Sequence, residues 1–314
     1  MCIRDRSWIT ATTNTATTQT SFTATGLTAN LAHVFRIAAR NAAGTGSYSS
    51  NSSSVTVYNI PGIPSSITAN PANTQATVSW SAPAANGSAI TDYTIQWSSN
   101  NGVSWSTFAD GVSTATSAIV TGLTNGVSYQ FRIAATNIGG TSSFSTASTA
   151  VIPRSAPGAV TGVAGSPGNT QVTLAWTAPT STGGSAITGY AIEYSSNGGT
   201  SWITASANTG STVTSFTATG LTNGVGYIFR IAARNIVGNG TYSATSATVT
   251  PFTIPGAPTS LTGTAGNSQV SLSWLAPSSD GGSPVNDYII EYSTNSGTTW
   301  ITVADGVSSA TSTI

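Results

Sequence analysis

The chain has 314 residues and a mass of 31.4 kDa, room for about two or three domains. Its eight cations, all arginine, balance eight Asp+Glu, and charged residues make up only 5% of the sequence, against about 25% in ordinary globular proteins. Such a neutral chain has no cationic field to gather phosphates, which excludes nucleic acid and anionic membrane as partners, while 39% hydrophobic residues and eight Trp suffice to build cores and exclude simple disorder.

In chain order, the stretch from Met1 to about Arg6 stands apart. It holds the only Cys, the only Met and three charges (Arg4, Asp5, Arg6). It resembles translated adaptor sequence, and no function is expected of it. No apolar leader core follows Met1, and no run of about 18 apolar residues occurs anywhere. From Trp8 onward the sequence repeats itself. Trp8 returns as Trp105, Trp202 and Trp300, and Gly26-Leu27 returns as Gly122-Leu123 and Gly220-Leu221. Phe35-Arg36-Ile37-Ala38-Ala39 returns at 131–135 and 229–233, Pro61-Gly62 at Pro157-Gly158 and Pro255-Gly256, and Trp80 at Trp176 and Trp274. The interval is 96 residues from Arg36 to Arg132 and 98 from Arg132 to Arg230. A period near 97 is too long for solenoid units of about 20–50 residues and fits one small domain per copy. We expect whole domains at 61–155 and 156–253. They lie between the later strands of a copy at 1–60 and the earlier strands of another at 254–314.

Within a copy the apolar residues alternate. Val78 and Trp80, Leu174 and Trp176, Tyr190, Ile192 and Tyr194, and Tyr227, Phe229 and Ile231 are each spaced by two. Period two with aromatic and β-branched residues marks half-buried strands, and Asn86-Gly87, Asn125-Gly126 and Asn223-Gly224 punctuate them as turns. About seven short strands per copy predict an all-β, antiparallel two-sheet sandwich. On the Pro-rich entry (Pro61-Gly62-Ile63-Pro64), the core Trp (Trp80, Trp176, Trp274), Tyr93-x-Ile95-x-Trp97 and a Leu six residues before a Tyr (Leu123–Tyr129, Leu221–Tyr227), each copy resembles a fibronectin type III domain. The resemblance implies tandem immunoglobulin-like β-sandwiches, beads on a string joined by short Pro-stiffened linkers, with a tyrosine corner whose phenol bonds back to backbone. It also implies a hairpin at Asn137-Ile138-Gly139 and Asn235-Ile236-Val237-Gly238 leading into the last strand. The expected structural core is Trp80, Ile95, Leu123, Tyr129, Phe131, Trp176, Ile192, Leu221, Tyr227, Phe229 and Trp274. In the first copy His33 stands at the tyrosine position and is expected to weaken that corner.

Chemistry-bearing residues are few. One Cys and one His exclude an internal disulfide and a Cys/His zinc site. His33 alone could serve a Ser–His–Asp set, and no Gly-x-Ser-x-Gly elbow occurs. Glu193 lacks an acidic partner in its copy, Asp280 and Asp287 do not supply the alternating oxygens of a calcium loop, and without Lys there is no phosphate-binding Gly-x-x-x-x-Gly-Lys. No catalytic residue, metal or cofactor is therefore expected. Arg36, Arg132 and Arg230 alternate with core residues and should face solvent. There Glu193 would pair with Arg230, and Gln96 with Arg132, at about 0.2–1 kcal/mol each. The functional alternative is an arginine ridge for an acidic ligand. Trp105, Trp202 and Trp300 each follow a Gly/Ser/Asn turn; their rings can stack on a sugar or lie across neighbouring side chains, and the covering role is the expected one. The sequons at Asn51, Asn86 and Asn239 fall at non-equivalent places in the repeat and are read as accidents of composition.

The resemblance implies a non-catalytic spacer and adhesion module of a large, secreted or surface-displayed, bacterial protein, of which this chain is a fragment. Its ligand surface would be protein or carbohydrate. The alternative is an accessory region of an extracellular polysaccharide-degrading enzyme with weak carbohydrate binding. The incomplete copies at either end are expected to expose apolar faces and to self-associate.

Overall fold

The computed structural model describes residues 10–12, 15–304 and 310–313. Residues 1–6 and Trp8, with the readings placed on them, lie outside that set. Every regular element described is a β-strand, and the chain divides into two compact units, Met1–Pro153 and Arg154–Ile314.

The first unit begins with β1 (Ala32–His33), β2 (Arg40–Asn41), β3 (Gly44–Thr45) and β4 (Val55–Thr56), paired β1 with β4 and β2 with β3. Then come β5 (Ser65–Ala72), β6 (Gln75–Ser81), β7 (Asp92–Ser98), β8 (Ser106–Phe108), β9 (Ser117–Thr121), β10 (Gln130–Asn137) and β11 (Gly140–Thr141). These form two antiparallel sheets in the orders β5-β6-β9 and β11-β10-β7-β8. In the second unit β12 (Thr161–Gly168), β13 (Gln171–Thr177), β14 (Gly189–Ser195), β15 (Ile203–Ser206), β16 (Ser215–Thr219) and β17 (Ile228–Arg234) repeat the plan as β12-β13-β16 and β15-β14-β17. It closes with β18 (Thr259–Ala265), β19 (Val270–Leu275), β20 (Glu291–Tyr292), β21 (Ile301–Thr302) and β22 (Ser312–Thr313).

Alternation builds the core. Every second residue of β13 is buried, and Ile95, Phe131 and Ile133 in one unit, like Leu174, Ile192, Phe229 and Ile231 in the other, are wholly withdrawn from water. Each fully buried side chain of this size contributes about 1.5–3 kcal/mol. Trp80, Leu123, Tyr129, Trp176, Leu221, Tyr227 and Trp274 are also buried. The core tryptophans meet a tyrosine edge to face: Trp80 with Tyr93 at 5.2 Å, Trp176 with Tyr190 at 4.9 Å and Trp274 with Tyr288 at 5.2 Å between centroids. Their indole N–H groups find no acceptor, a cost of about 1–3 kcal/mol each that the aromatic burial must outweigh. The phenol oxygens of Tyr129 and Tyr227 accept the backbone N–H of Thr124 (3.0 Å) and Thr222 (3.1 Å), fixing the crossover between sheets. His33, at the equivalent place, leaves Nδ1 buried without a partner.

The last segment departs from the expected strand. After β11 the chain runs beside β10 without regular strand geometry, and it advances three residues for every two of β10. Ser142, Ser145 and Ser148 donate their N–H groups to the carbonyls of Ala135, Ile133 and Phe131, each at 2.8 Å. The N–H groups of the same three β10 residues donate to those serines' Oγ atoms at 3.0–3.1 Å, and each hydroxyl passes its proton to the next carbonyl in the segment. Serine oxygen thus replaces the carbonyl that a neighbouring strand would have offered. Period three is the repeat of an extended polyproline-type chain. Ser243 and Ser246 serve Ile231 and Phe229 likewise, and Ser49 and Ser52 serve Ile37 and Phe35. The hairpin Asn137 is buried (4% exposed): its Nδ2 donates to the carbonyls of Asn59 and Ala85, both at 2.9 Å. Asn235 does the same to Ser155 and Thr182.

Ser145→Ala would leave the buried Ile133 N–H without an acceptor and should destabilise its repeat by about 1–3 kcal/mol. The exposed neighbour Thr146→Ala should stay within about 0.5 kcal/mol. Denaturant midpoints of the two variants check the difference.

Candidate functional surface

The outer face of the β7/β10 sheet, and separately that of the β14/β17 sheet, carries one recurring cluster. In the second unit the register sets Glu193 opposite Arg230. Arg230 Nη2 and Nε lie 2.6 and 2.7 Å from Glu193 Oε2. The guanidinium carbon sits 4.1 Å from the ring centroid of Trp202 and 4.5 Å from that of Tyr242. In the first unit Arg132 donates through Nε and Nη2 to Gln96 Oε1 (2.9 and 2.7 Å), at 4.3 Å from Trp105 and 4.5 Å from Phe144. Arg36 lies 4.3 Å from Tyr48.

The arginines therefore do not face open solvent as alternation suggested. They are half-buried, Arg132 and Arg230 each between two rings, and the Arg230 and Glu193 side chains are 30% and 18% exposed. The stacking adds about 0.5–2 kcal/mol to what an exposed pair would contribute. Each Trp is held by the preceding loop. Ser195 Oγ accepts from the N–H of Gly199 and donates to Asn197 Oδ1, which accepts the Ser201 N–H, while Asn197 Nδ2 donates to Ser201 Oγ. The same polar box recurs at Ser98, Asn100, Gly102 and Ser104, and at Ser293, Asn295, Gly297 and Thr299. Gly102 (φ 83) and Gly199 (φ 89) suit this left-handed turn and let the indole edge lie against the backbone. The Trp105 indole N–H donates to the Gly102 carbonyl at 3.0 Å. So Trp105 and Trp202 are half-buried and each gives a ring face to arginine, whereas Trp300 remains 59% exposed.

Burial raises the Tyr242 phenol above its ordinary value, and its bond to the Glu193 carboxylate adds to the shift. Burial also raises the Asp110 carboxyl, with the charge of Asp92 contributing. This pair of carboxylates escaped sequence reading because 18 residues separate them. Asp92 Oδ1 accepts the Ser113 N–H, and Asp280 Oδ1 accepts the Gly282 N–H. Among the described residues no three His, Cys, Asp or Glu side chains gather as a metal group. An open groove of about 510 Å³ in the second unit, lined by Val163, Pro167, Val249, Phe252 and Pro284 among others, contains no titratable side chain.

The linkers show a second recurring arrangement. In the first unit the carbonyl of Val57 accepts the N–H of Asn30 (3.1 Å), and the N–H of Asn59 donates to the carbonyl of Asn86 (2.8 Å). In the second unit Pro251 accepts from Gly224 (2.9 Å) and Thr253 donates to Gly281 (2.8 Å). Each linker is thereby bonded to the copy before it and the copy after it.

The family model described as the fibronectin type III domain matches residues 62–151 and 155–249, more than half of the chain. A Kelch domain-containing protein, SSO1033, of Saccharolobus solfataricus is 38% identical over 119 residues, 37% of this chain and 15% of that protein. The striated-muscle M-protein of Gallus gallus is 32% identical over 235 residues, 71% of this chain and 16% of that protein. Exoglucanase B of Cellulomonas fimi is 30% identical over 231 residues, 69% of this chain and 20% of that protein. The matched stretch is thus a fifth or less of each of these relatives, which come from an archaeon, an animal and a bacterium.

Because Tyr242 holds its proton more tightly when folded, the stability present below about pH 10 should fall as pH rises past that value. Tyr242→Phe removes that contribution. Its denaturation midpoint, compared with that of the parent chain at about pH 8 and about pH 11, should decline less over the interval.

Proposed function

The chain belongs to the fibronectin type III family, and from that membership we propose a non-catalytic spacer and adhesion module of a larger secreted or surface-displayed protein. In this reading 61–155 and 156–253 are whole domains, flanked by parts of domains at 1–60 and 254–314. The observation that carries it is the repeated linker clamp. Bonding the connections at 57–59 and 251–253 to the copies on either side restrains those two joints, as a spacer requires and an independently acting catalytic domain does not. The outer-face chemistry agrees with this: the two central arginines are engaged by Gln96 or Glu193 and by two rings each, which leaves the acidic-ligand ridge without support. The likeness to the striated-muscle M-protein is a likeness in module type and favours a structural role.

Amide hydrogen exchange on the whole chain tests the joints. The Asn59 and Thr253 amides should be protected to the degree of strand amides such as Ile133. Exchange at the rate of open loops would remove the basis for the spacer role.

The likeness to Exoglucanase B favours a second reading, an accessory region of a polysaccharide-degrading enzyme. The 59% exposure of Trp300 gives it one aromatic platform. On a glycan array this reading expects binding that Trp300→Ala abolishes and Trp105→Ala weakens less. A blank array, or binding indifferent to Trp300, would sink it.

A further inference from the structure

Asparagine precedes glycine at six places: Asn86, Asn101, Asn125, Asn197, Asn223 and Asn239. Such a step is chemically fragile, because glycine has no side chain to keep its nitrogen from the preceding Cγ. Cyclisation needs a free side-chain amide and a free glycine N–H together, so a hydrogen bond to either group slows it. The fold distributes those bonds unevenly. Asn125 accepts the Thr74 N–H and donates to Asn73, while the Gly126 N–H is engaged by the Pro153 carbonyl. Asn223 and Gly224 are held the same way by Thr170, Asn169 and Pro251. Asn197 is fixed in its polar box, and Asn86 Nδ2 donates to the Ile60 carbonyl. Asn239 Oδ1 accepts from Arg234, and the Gly240 N–H donates to the Ala233 carbonyl. Asn101 differs. Its side chain is exposed and makes no hydrogen bond, so a single restraint remains, the Gly102 N–H donated to Ser98 Oγ at 2.9 Å. It also sits at a φ of 55, where the other repeats place Gly198 and Ser296.

We propose that Asn101 is a site of spontaneous covalent modification, converting to aspartate and isoaspartate, and that the conversion releases Trp105 from its arginine. The Gly102 nitrogen bonds to Asn101 Cγ and gives up its proton, the Cγ–Nδ2 bond breaks, and Nδ2 leaves as ammonia. Water then opens the five-membered imide. Addition at Cγ restores the main chain and leaves an aspartate; addition at the Asn101 main-chain carbonyl routes the chain through Cβ and Cγ as isoaspartate. Water is the only co-reactant, and nothing is oxidised or reduced. Isoaspartate inserts one extra carbon into a turn whose two ends are fixed. Ser98 Oγ accepts the N–H groups of Asn100 and Gly102, and the Gly102 carbonyl accepts the Trp105 indole N–H at 3.0 Å. Displacing Gly102 takes away both that acceptor and the backbone against which the indole edge lies. Trp105 then no longer holds its face 4.3 Å from Arg132, and the turn carries a new negative charge in a chain of zero net charge. The second repeat, with Gly198 at this position, keeps Trp202 on Arg230 indefinitely.

Peptide mapping by mass spectrometry of the full chain, sampled over weeks in warm neutral buffer, tests the site, with electron-transfer fragmentation separating aspartate from isoaspartate. Asn101 should convert at least about tenfold faster than any of the other five asparagines, whose reaction must wait for a larger local opening. Ser98→Ala, which frees the Gly102 N–H, should speed the conversion further. Asn101→Gly, the residue of the second repeat, should keep the far-ultraviolet dichroism and gain no acid in that peptide. An Asn101 that stays intact, or that converts no faster than Asn125 or Asn223, overturns the assignment. Tryptophan emission reads the release of Trp105: a shift to longer wavelength should track isoaspartate and be absent from Asn101→Gly and Trp105→Phe. Isoaspartate that accumulates without the shift, or a shift that persists in Trp105→Phe, overturns the coupling to Trp105.

Discussion

The pairing of Ile192 with Ile231, and of Ile95 with Ile133, constrains nearly everything else in these sandwiches. Side chains alternate strictly along a strand, so this register places Tyr190, Ile192, Phe229 and Ile231 in the core and at once aligns Glu193 with Arg230 on the outer face. A slip of one residue would bury the guanidinium and expose the isoleucines. Both faces therefore enforce the same alignment: the inner by several buried side chains, the outer by an arginine bonded to Glu193 or Gln96 and held against two rings. The outer contribution is smaller in energy but more selective, since apolar side chains tolerate exchange and a guanidinium between two rings does not.

With charges so scarce, polar groups rather than ions organise the surface. The Ser–Asn–Gly–Ser box that presents each Trp, the asparagine that ties hairpin to linker, and the serines that bond β10 and β17 all use neutral side chains as stand-ins for backbone partners. Each satisfies groups that would be costly to bury unpaired. Such bonds are insensitive to ionic strength, unlike a surface built on exposed ion pairs.

Alternation was plain in the sequence because period two needs only a few residues, so the strands, the core aromatics and the Leu–Tyr corner could be placed from it. It also gave the face on which Arg132 and Arg230 lie, but not what covers them. Trp105 and Phe144 reach Arg132 from elements 27 residues before it and 12 after, and no period links them. The Ser142, Ser145 and Ser148 spacing was present too, yet in a chain that is roughly a third Ser and Thr a three-residue rhythm does not stand out. Asn137 was read as an ordinary turn former. Its burial follows from donating to carbonyls 78 and 52 residues away, which only the fold brings together.

The serine-bonded last segment bears on how many such domains can share one tether. Modules on a common chain meet each other at millimolar local concentration, and exposed strand edges would then zip together. Many proteins guard such an edge with lysine, which this chain wholly lacks. Here the backbone itself is the guard. Its bonds to β10 recur every three residues, out of step with the two-residue spacing of an incoming strand. Along that edge an array can be lengthened without its members sticking to one another.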